Sequence, residues 1–525
     1  MNALPEFRSP PPLRASPPPP RRRRVSPLLT PLAACALLAG WIALSAVGDQ
    51  ARTFSVIIAL LANFVVYTDA ADLLLRLYAR RRHTSARGVE LSIDLAAAAP
   101  SAMQRLVPTR PYAIVASIHN LDSRGELDAF METMGRYRER VWLISDGSSD
   151  QTARRLRQAG WRCIEETVNR RKPAALRRLL EQLPLSIETV MVIDPDCRIR
   201  LRSEGSSVDL ERYIGDFQAS GAAAVCPRLM VEPDGFLTRF QAFEYALGFR
   251  IGRRSLADFS ITSGVSLYRR DALEFALSRH SLSVYAEDLE NALILLAAGE
   301  RIYYDGRLLV STEGPGSWRR WFSQRVGWYY GLLKVYTERF AEILRIRRRA
   351  PFAFYHYLIY MGLLTLGLHL VKMVATGVLL ISLVAGFDHL FAAGVIPDSR
   401  WINPLYFATA VGCYLTLGII ALFAIVPEKE RGYVAPIVPL YLLYTLIHVV
   451  PMSVGFVNWI SKKLWGRRLY HDHYEPGERR DARHTPAPAS TETLPLNPVP
   501  SVPQRMPPSL AAATLAPLPL DRSAP

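Results

Sequence analysis

An apolar run, VMVI at 190–193, ends in Asp194-Pro195-Asp196. Carboxylates two residues apart, where an extended strand opens into a loop, project to one face. Oxygen ligands so arranged suit a divalent cation and, through that cation, a diphosphate. A polar loop at a strand exit would read similarly, but two close carboxylates repel each other unless a cation or protons intervene.

Five further segments carry groups that could do related chemistry. After VWLIS at 141–145 comes Asp146-Gly147-Ser148-Ser149-Asp150. Its glycine and serines suit a tight turn, and Asp150 can cap the next helix. Asp146 would sit at the sheet edge and accept hydrogen bonds from a base or ribose; an ordinary β–α turn accounts for the segment as well. Lys172, in Asn169-Arg170-Arg171-Lys172-Pro173, either meets a diphosphate or belongs to a solvated basic face. Gly264, in ITSGVSLYRR, allows close backbone approach to a ligand or opens a strand. Glu287 and Asp288 start an apolar helix. The helix dipole favours carboxylates there in any case; the functional reading makes Asp288 a general base that takes a proton from an attacking hydroxyl. Finally, Trp318-Arg319-Arg320-Trp321 precedes Gln324-Arg325-Val326-Gly327-Trp328. This density of aromatic and basic groups fits a membrane-interface anchor or a clamp on an acceptor and a diphosphate.

The elements that must position these groups lie at about 90–345, which has no membrane-length apolar run. Short β-rich runs at 112–118, 141–145, 190–193 and 222–226 alternate with helical patterns such as 151–159 and 174–183. That alternation predicts an α/β domain with a largely parallel sheet, whose ligands gather at the carboxyl ends of the strands. Apolar runs at 25–47 and 53–77 precede the domain, and runs at 352–387, 404–426 and 433–457 follow it. Each is long enough to span ~30 Å of hydrocarbon, although 352–360 also reads as an interfacial helix. The reading is two N-terminal spans within 25–80 and three or four C-terminal spans within 346–468. Basic clusters at Arg80-Arg81-Arg82, Arg347-Arg348-Arg349 and Lys462-Lys463 put the intervening domain in the cytosol. Pro-rich tails at 1–24 and 474–525 read as disordered. The net charge of +16 follows the apolar runs and does not interleave with exposed aromatics, which disfavours nucleic acid as a partner. The five scattered cysteines form no CxxC pair, against a zinc site or disulfide framework. A cytosolic metal–phosphate site joined to membrane spans suggests chemistry on an activated sugar.

In order and spacing these motifs resemble the family-2 glycosyltransferases, in particular the membrane-embedded branch with cellulose, chitin and hyaluronan synthases. The resemblance covers roughly residues 110–335. It implies a GT-A-like Rossmann-type domain inserted between N-terminal and C-terminal transmembrane helices. By residue, it implies that Asp146 binds the nucleobase and Lys172 lies in the donor pocket. Asp194 and Asp196 would hold donor and cation, with Asp196 the more direct metal ligand, and Asp288 would be the base. Gly264, Glu287, Gln324, Arg325 and Trp328 fall on the acceptor side. One departure stands out: the synthase motif reads Gln-x-x-Arg-Trp, and here Gly327 takes the arginine position. Arg325 lies about 200° away around a helix, so it is no simple replacement. No cytosolic domain of useful size follows the last apolar run.

The resulting expectation is a multi-pass inner or plasma membrane enzyme. It would move a sugar from a nucleotide-sugar donor, UDP-linked by the resemblance, with Mg2+ or Mn2+, inverting the anomeric centre. The acceptor is a growing polysaccharide, with export through the C-terminal spans and possible export partners, or a lipid-linked carrier that gains one sugar. An inactive transport or scaffold subunit is the rival from another class, and the intact carboxylate set argues against it. A glycosidase with paired carboxylates would explain neither the DGS turn nor the cytosolic placement.

Overall fold

The computed structural model describes residue 76 and residues 110–346, 355–367 and 404–472. The expected spans at 25–47 and 53–77 (Arg76 apart) and both expected disordered tails lie outside the described residues, as does most of the run at 352–387.

Eight strands form one sheet: β1 Tyr112–Ile118, β2 Val141–Asp146, β3 Arg162–Glu166, β4 Thr189–Val192, β5 Cys197–Ile199, β6 Ala224–Val231, β7 Ser266–Arg269 and β8 Ile302–Thr312, in the order β3-β2-β1-β4-β7-β6-β8-β5. The reason is legible in β1. Ala113 and Val115 enter one apolar core while Ile114, Ala116 and Ile118 enter the other, so helices cover both faces and the strand is apolar throughout. Each such side chain contributes roughly 1.5–3 kcal/mol by leaving water. β4 repeats the pattern, with Val190 and Val192 on one side and Met191 on the other.

The GT-A-like α/β sheet implied by the resemblance fits this architecture, with one correction. The sheet is mixed: β3/β2, β2/β1, β1/β4 and β6/β8 pair parallel, while β4/β7, β7/β6 and β8/β5 pair antiparallel. β7 is the cause. It follows the Gly264 loop and inserts between β4 and β6 against their direction.

Six helices matter below: α1 Lys172–Leu180, α2 Phe236–Leu247, α3 Glu287–Ala298, α4 Trp318–Glu338, α5 Pro404–Ile425 and α6 Val449–Trp465. α1 starts earlier than the expected 174, because Pro173 in its first turn loses no helical hydrogen bond. Apolar residues of α2 (Leu237, Phe240, Phe243) and Trp321 of α4 pack on Leu422 and Ile425 of α5 and on Val438, Tyr441 and Tyr444.

The run at 433–457 is not one helix. Pro436 and Pro439 fall in a tight 3-10 segment, Ala435–Leu440, and proline cannot donate the bond that would continue an α-helix. Helix resumes at Tyr441–Ile447 and again at α6. Among the described residues, one helical stretch, Leu443–Trp465, is long and apolar enough to cross a membrane.

Candidate active site

The β2 turn is built around Asp146. Its side chain is buried, and Oδ1 accepts the Arg170 N–H at 2.7 Å, so the carboxylate fixes the loop that delivers Lys172. Burial raises its carboxyl above the ordinary range, and the Arg170 and Arg171 backbone N–H groups oppose that rise. Gly147 has φ +65°, and a Cβ there would lie 2.3 Å from the Asn169 nitrogen. Asn120, at the end of β1, accepts the Ser149 N–H at 2.8 Å. Asp150 accepts the Thr152 N–H at 3.0 Å, as expected of a cap.

Lys172 sits at the centre. Its Nζ lies 2.5 Å from Asp194 Oδ1 and 2.8 Å from Glu287 Oε1. One ammonium therefore joins the β4 exit to the start of α3, two segments far apart in the chain. Burial works against the lysine charge, but Asp194 and Glu287 outweigh it and hold its pKa well above the usual value. Burial raises the Asp194 carboxyl; Lys172 pulls it down, while Asp196 and Glu287 push it further up.

The Asp194-Pro195-Asp196 segment corrects the sequence reading. It is a turn, closed by Cys197 N–H donating to Asp194 O at 3.0 Å, and not the end of an extended strand. The two-residue repeat of a pleated strand does not govern it, and the carboxylates have different partners. Asp194 faces Lys172, whereas the more exposed Asp196 accepts the Thr312 hydroxyl at 2.9 Å. No cluster of three or more metal-ligating side chains occurs among the described residues. The residues present still fit a divalent cation of the magnesium type, which takes one or two carboxylates and completes its shell with water and substrate phosphate. The acid excess that raises Asp194 is what such a cation would relieve.

Gly264 lies directly against this carboxylate: a Cβ there would fall 1.9 Å from Asp194 Oδ2. Gly264→Ala is therefore expected to fold, because the obstructing atom belongs to a side chain, but to push Asp194 off Lys172. Donor kcat/KM should drop about a hundredfold, the scale of an ångström-sized misplacement. Steady-state kinetics with an unchanged circular-dichroism spectrum would show it; wild-type kinetics would refute it.

Asp288 follows Glu287 in the first turn of α3 and accepts the Leu289 N–H at 2.8 Å. It is partly accessible, yet burial and the adjacent Glu287 raise its carboxyl above the ordinary aspartate range, with Arg253 opposing. Thr262 donates to the Asp288 carbonyl at 2.8 Å, and Arg253 donates to the Ile261 and Thr262 carbonyls. The Gly264 loop and the acid pair are thus one unit. Ala286, which leads into α3, has φ +50°, a left-handed geometry costly for a residue with a Cβ.

On the acceptor side, α4 carries Gln324, Arg325 and Trp328. Arg325 is 2 % exposed, its Nη2 lies 2.8 Å from Glu244 Oε2, and its guanidinium stacks 4.1 Å from the Trp328 ring centroid. Glu244 also accepts the Tyr444 hydroxyl at 2.8 Å, which in turn accepts the Trp321 indole N–H at 2.9 Å. Arg325 is thus held inside the protein. Trp321 is buried too, whereas Trp318 is half-exposed, so only part of the aromatic–basic run can anchor at an interface. Gln324 is partly buried, and Gly327 is buried within α4.

Sequence reasoning missed Arg253, Thr312 and Glu244. Arg253 ends a π-helical segment, Gly248–Arg253, Thr312 ends β8 and Glu244 lies in α2; each acquires its partner only through tertiary packing, so no local sequence pattern marks it.

Residues 210–447 match the model of the glycosyl transferase family group 2. That segment includes Gly264, Glu287, Asp288, Gln324, Arg325 and Trp328 and begins after Asp146, Lys172, Asp194 and Asp196. Among solved structures, the mannosyltransferase PcManGT from Pyrobaculum calidifontis, in complex with GDP-Man and Mn2+, is similar at 17% identity over 78% of this chain and 99% of that one, with a TM-score of 0.46. A mycobacterial protein is similar at 14% identity over 43% of this chain and 74% of that one, TM-score 0.31. GalNAc-T7 with UDP, GalNAc and Mn2+ is similar at 10% identity over 44% and 48%, TM-score 0.31. No curated relative matches the sequence.

Proposed function

We propose that the enzyme transfers a sugar, with inversion, from a nucleoside-diphosphate donor to a glycan acceptor at a membrane surface. The observation that carries this reading is Lys172, whose one ammonium draws Asp194 and Glu287 together and so brings the β4 exit to the acid pair that starts α3. In this reading Asp146 receives the nucleobase and Lys172 faces the donor diphosphate. Asp194 and Asp196 hold Mg2+ or Mn2+, which when bound neutralises charge on the leaving diphosphate. Asp288 takes the proton from the acceptor hydroxyl, and that oxygen attacks the anomeric carbon opposite the leaving group. Gln324 and Trp328 line the acceptor side.

Exposed Ile419, Ile420 and Phe423 on α5, with Val450, Val457, Leu464 and Trp465 on α6, support a bilayer as partner; in this reading the protein is multi-pass, and the basic residues flanking the apolar runs keep the catalytic domain on the cytosolic side. The polymer reading has the glycan leave through the C-terminal helices. A second reading, a single sugar added to a lipid-linked acceptor, draws support from Arg325. Its commitment to Glu244 and Trp328, with Gly327 in the arginine position of the synthase motif, leaves no obvious cation for that role.

The test is a panel of UDP- and GDP-sugars incubated with the purified full-length protein, reading released nucleoside diphosphate. Turnover is expected with Mn2+ or Mg2+ and should fall at least about tenfold with EDTA. Turnover indifferent to chelation would sink the metal assignment, and silence across the panel would sink the donor class. Product length separates polymer from single addition.

A further inference from the structure

The chain does not leave the molecule at the end of α6. Gly466 takes φ +72° and turns the backbone back. Fully buried Asn458 fixes the return: its Oδ1 accepts the Leu469 and Tyr470 N–H groups at 3.1 and 2.9 Å, and its Nδ2 donates to the Tyr470 carbonyl at 2.8 Å. Ser461 adds a bond to the Arg467 carbonyl at 2.7 Å. This hook lays the Arg468 guanidinium across Tyr285 and Tyr330, 4.4 and 4.2 Å from the ring centroids. Asp472, 2 % exposed, accepts the Tyr285 hydroxyl at 2.8 Å, and Arg468 reaches both that hydroxyl and, at 3.2 Å, Asp472 Oδ2.

Tyr285 immediately precedes Ala286, the left-handed residue from which Glu287 and Asp288 project. The other side of this turn is held by α4, where a Cβ at Gly331 would lie 3.0 Å from the Ala286 nitrogen. A segment that merely ended a helix would have no use for a buried aspartate and a buried asparagine, each of which costs free energy unless partnered. A left-handed alanine persists only where its surroundings over-determine it, and the hook and α4 together supply that constraint.

We propose that residues 466–472 are a positioning element for the acid pair: Arg468 and Asp472 grip Tyr285 and thereby hold Ala286 and the start of α3 in the geometry that aims Asp288. The catalytic half of this statement rests on Asp288 being the base; the mechanical half does not. Full-length Asp472→Ala and Tyr285→Phe are the test variants. Hydrogen exchange over 284–290 should speed up about tenfold in both, while 176–180 in α1 stays at its wild-type rate. With whichever nucleotide sugar the wild type turns over, kcat should fall about tenfold with donor KM within about twofold. The double variant should be no slower than Asp472→Ala alone, because both substitutions break the same Tyr285–Asp472 hydrogen bond. Unchanged exchange over 284–290 would overturn the proposal. Faster exchange with unchanged kcat would overturn its catalytic half. Wild-type silence toward every sugar would fault the donor class on which the catalytic half rests, and exchange alone would then decide the role of the hook.

Discussion

Asp288→Asn is expected to lower turnover about a thousandfold while leaving donor affinity within about twofold of wild type. The substitution is nearly isosteric, and the amide oxygen can still accept the Leu289 N–H that orients the side chain. What it removes is the lone pair that takes the acceptor proton. The same group predicts the pH profile. Burial first, then the neighbouring Glu287, raise the Asp288 carboxyl above the ordinary aspartate range, and a base must be ionised to act. Wild-type kcat/KM should therefore climb with pH along a limb lying above that range, and the residual activity of the variant should lack the limb. The sign for stability is opposite. The folded state holds this proton more tightly than the unfolded chain does, so the group's contribution to stability is lost as pH rises from the ordinary aspartate range through the raised one. A variant that kept wild-type kcat, or kept the limb, would remove Asp288 from the base role.

Why the sequence reaches so far toward this site, and no further, follows from the kind of contact each residue makes. β1 and β4 are written in apolar residues that feed two cores, so the doubly covered sheet is legible from pattern alone. β7 is not. SLYR is too short to show periodicity, and its antiparallel insertion is a property of the whole sheet, which is why the expected parallel sheet comes out mixed. The carboxylates were legible as residue types, but the pleat argument for Asp194 and Asp196 fails because the segment turns before the second acid. Lys172 by itself reads first as a solvated charge; its two acid partners come to it only through α3 and β4. Gly264 read as a close-approach position; the structure identifies what approaches, the Asp194 carboxylate. Arg325 shows the opposite case: its partner Glu244 lies on another helix, and nothing local foretells the pair.

Lys172→Met should destabilise the fold by about 3–5 kcal/mol, the cost of leaving buried ionic partners uncompensated. Both partners are well covered, with side-chain exposures of 29% for Asp194 and 17% for Glu287, so solvent screens their repulsion poorly. Losing the ammonium raises the Asp194 carboxyl further above its unfolded value. The folded variant then binds protons that the unfolded chain releases, and its stability must fall as pH rises through that window and recover as pH is lowered. Thermal unfolding across pH is the measurement: the gap between variant and wild type should widen from acid toward neutral pH. Lys172→Arg keeps the charge but not the compact ammonium that fits between two carboxylates; it should regain most of the stability without regaining donor turnover. That split separates holding the acids from meeting the donor. If Lys172→Met unfolded no more readily than wild type at neutral pH, the lysine would not be what holds the β4 exit and the start of α3 together, and the observation on which the proposed function stands would fall with it.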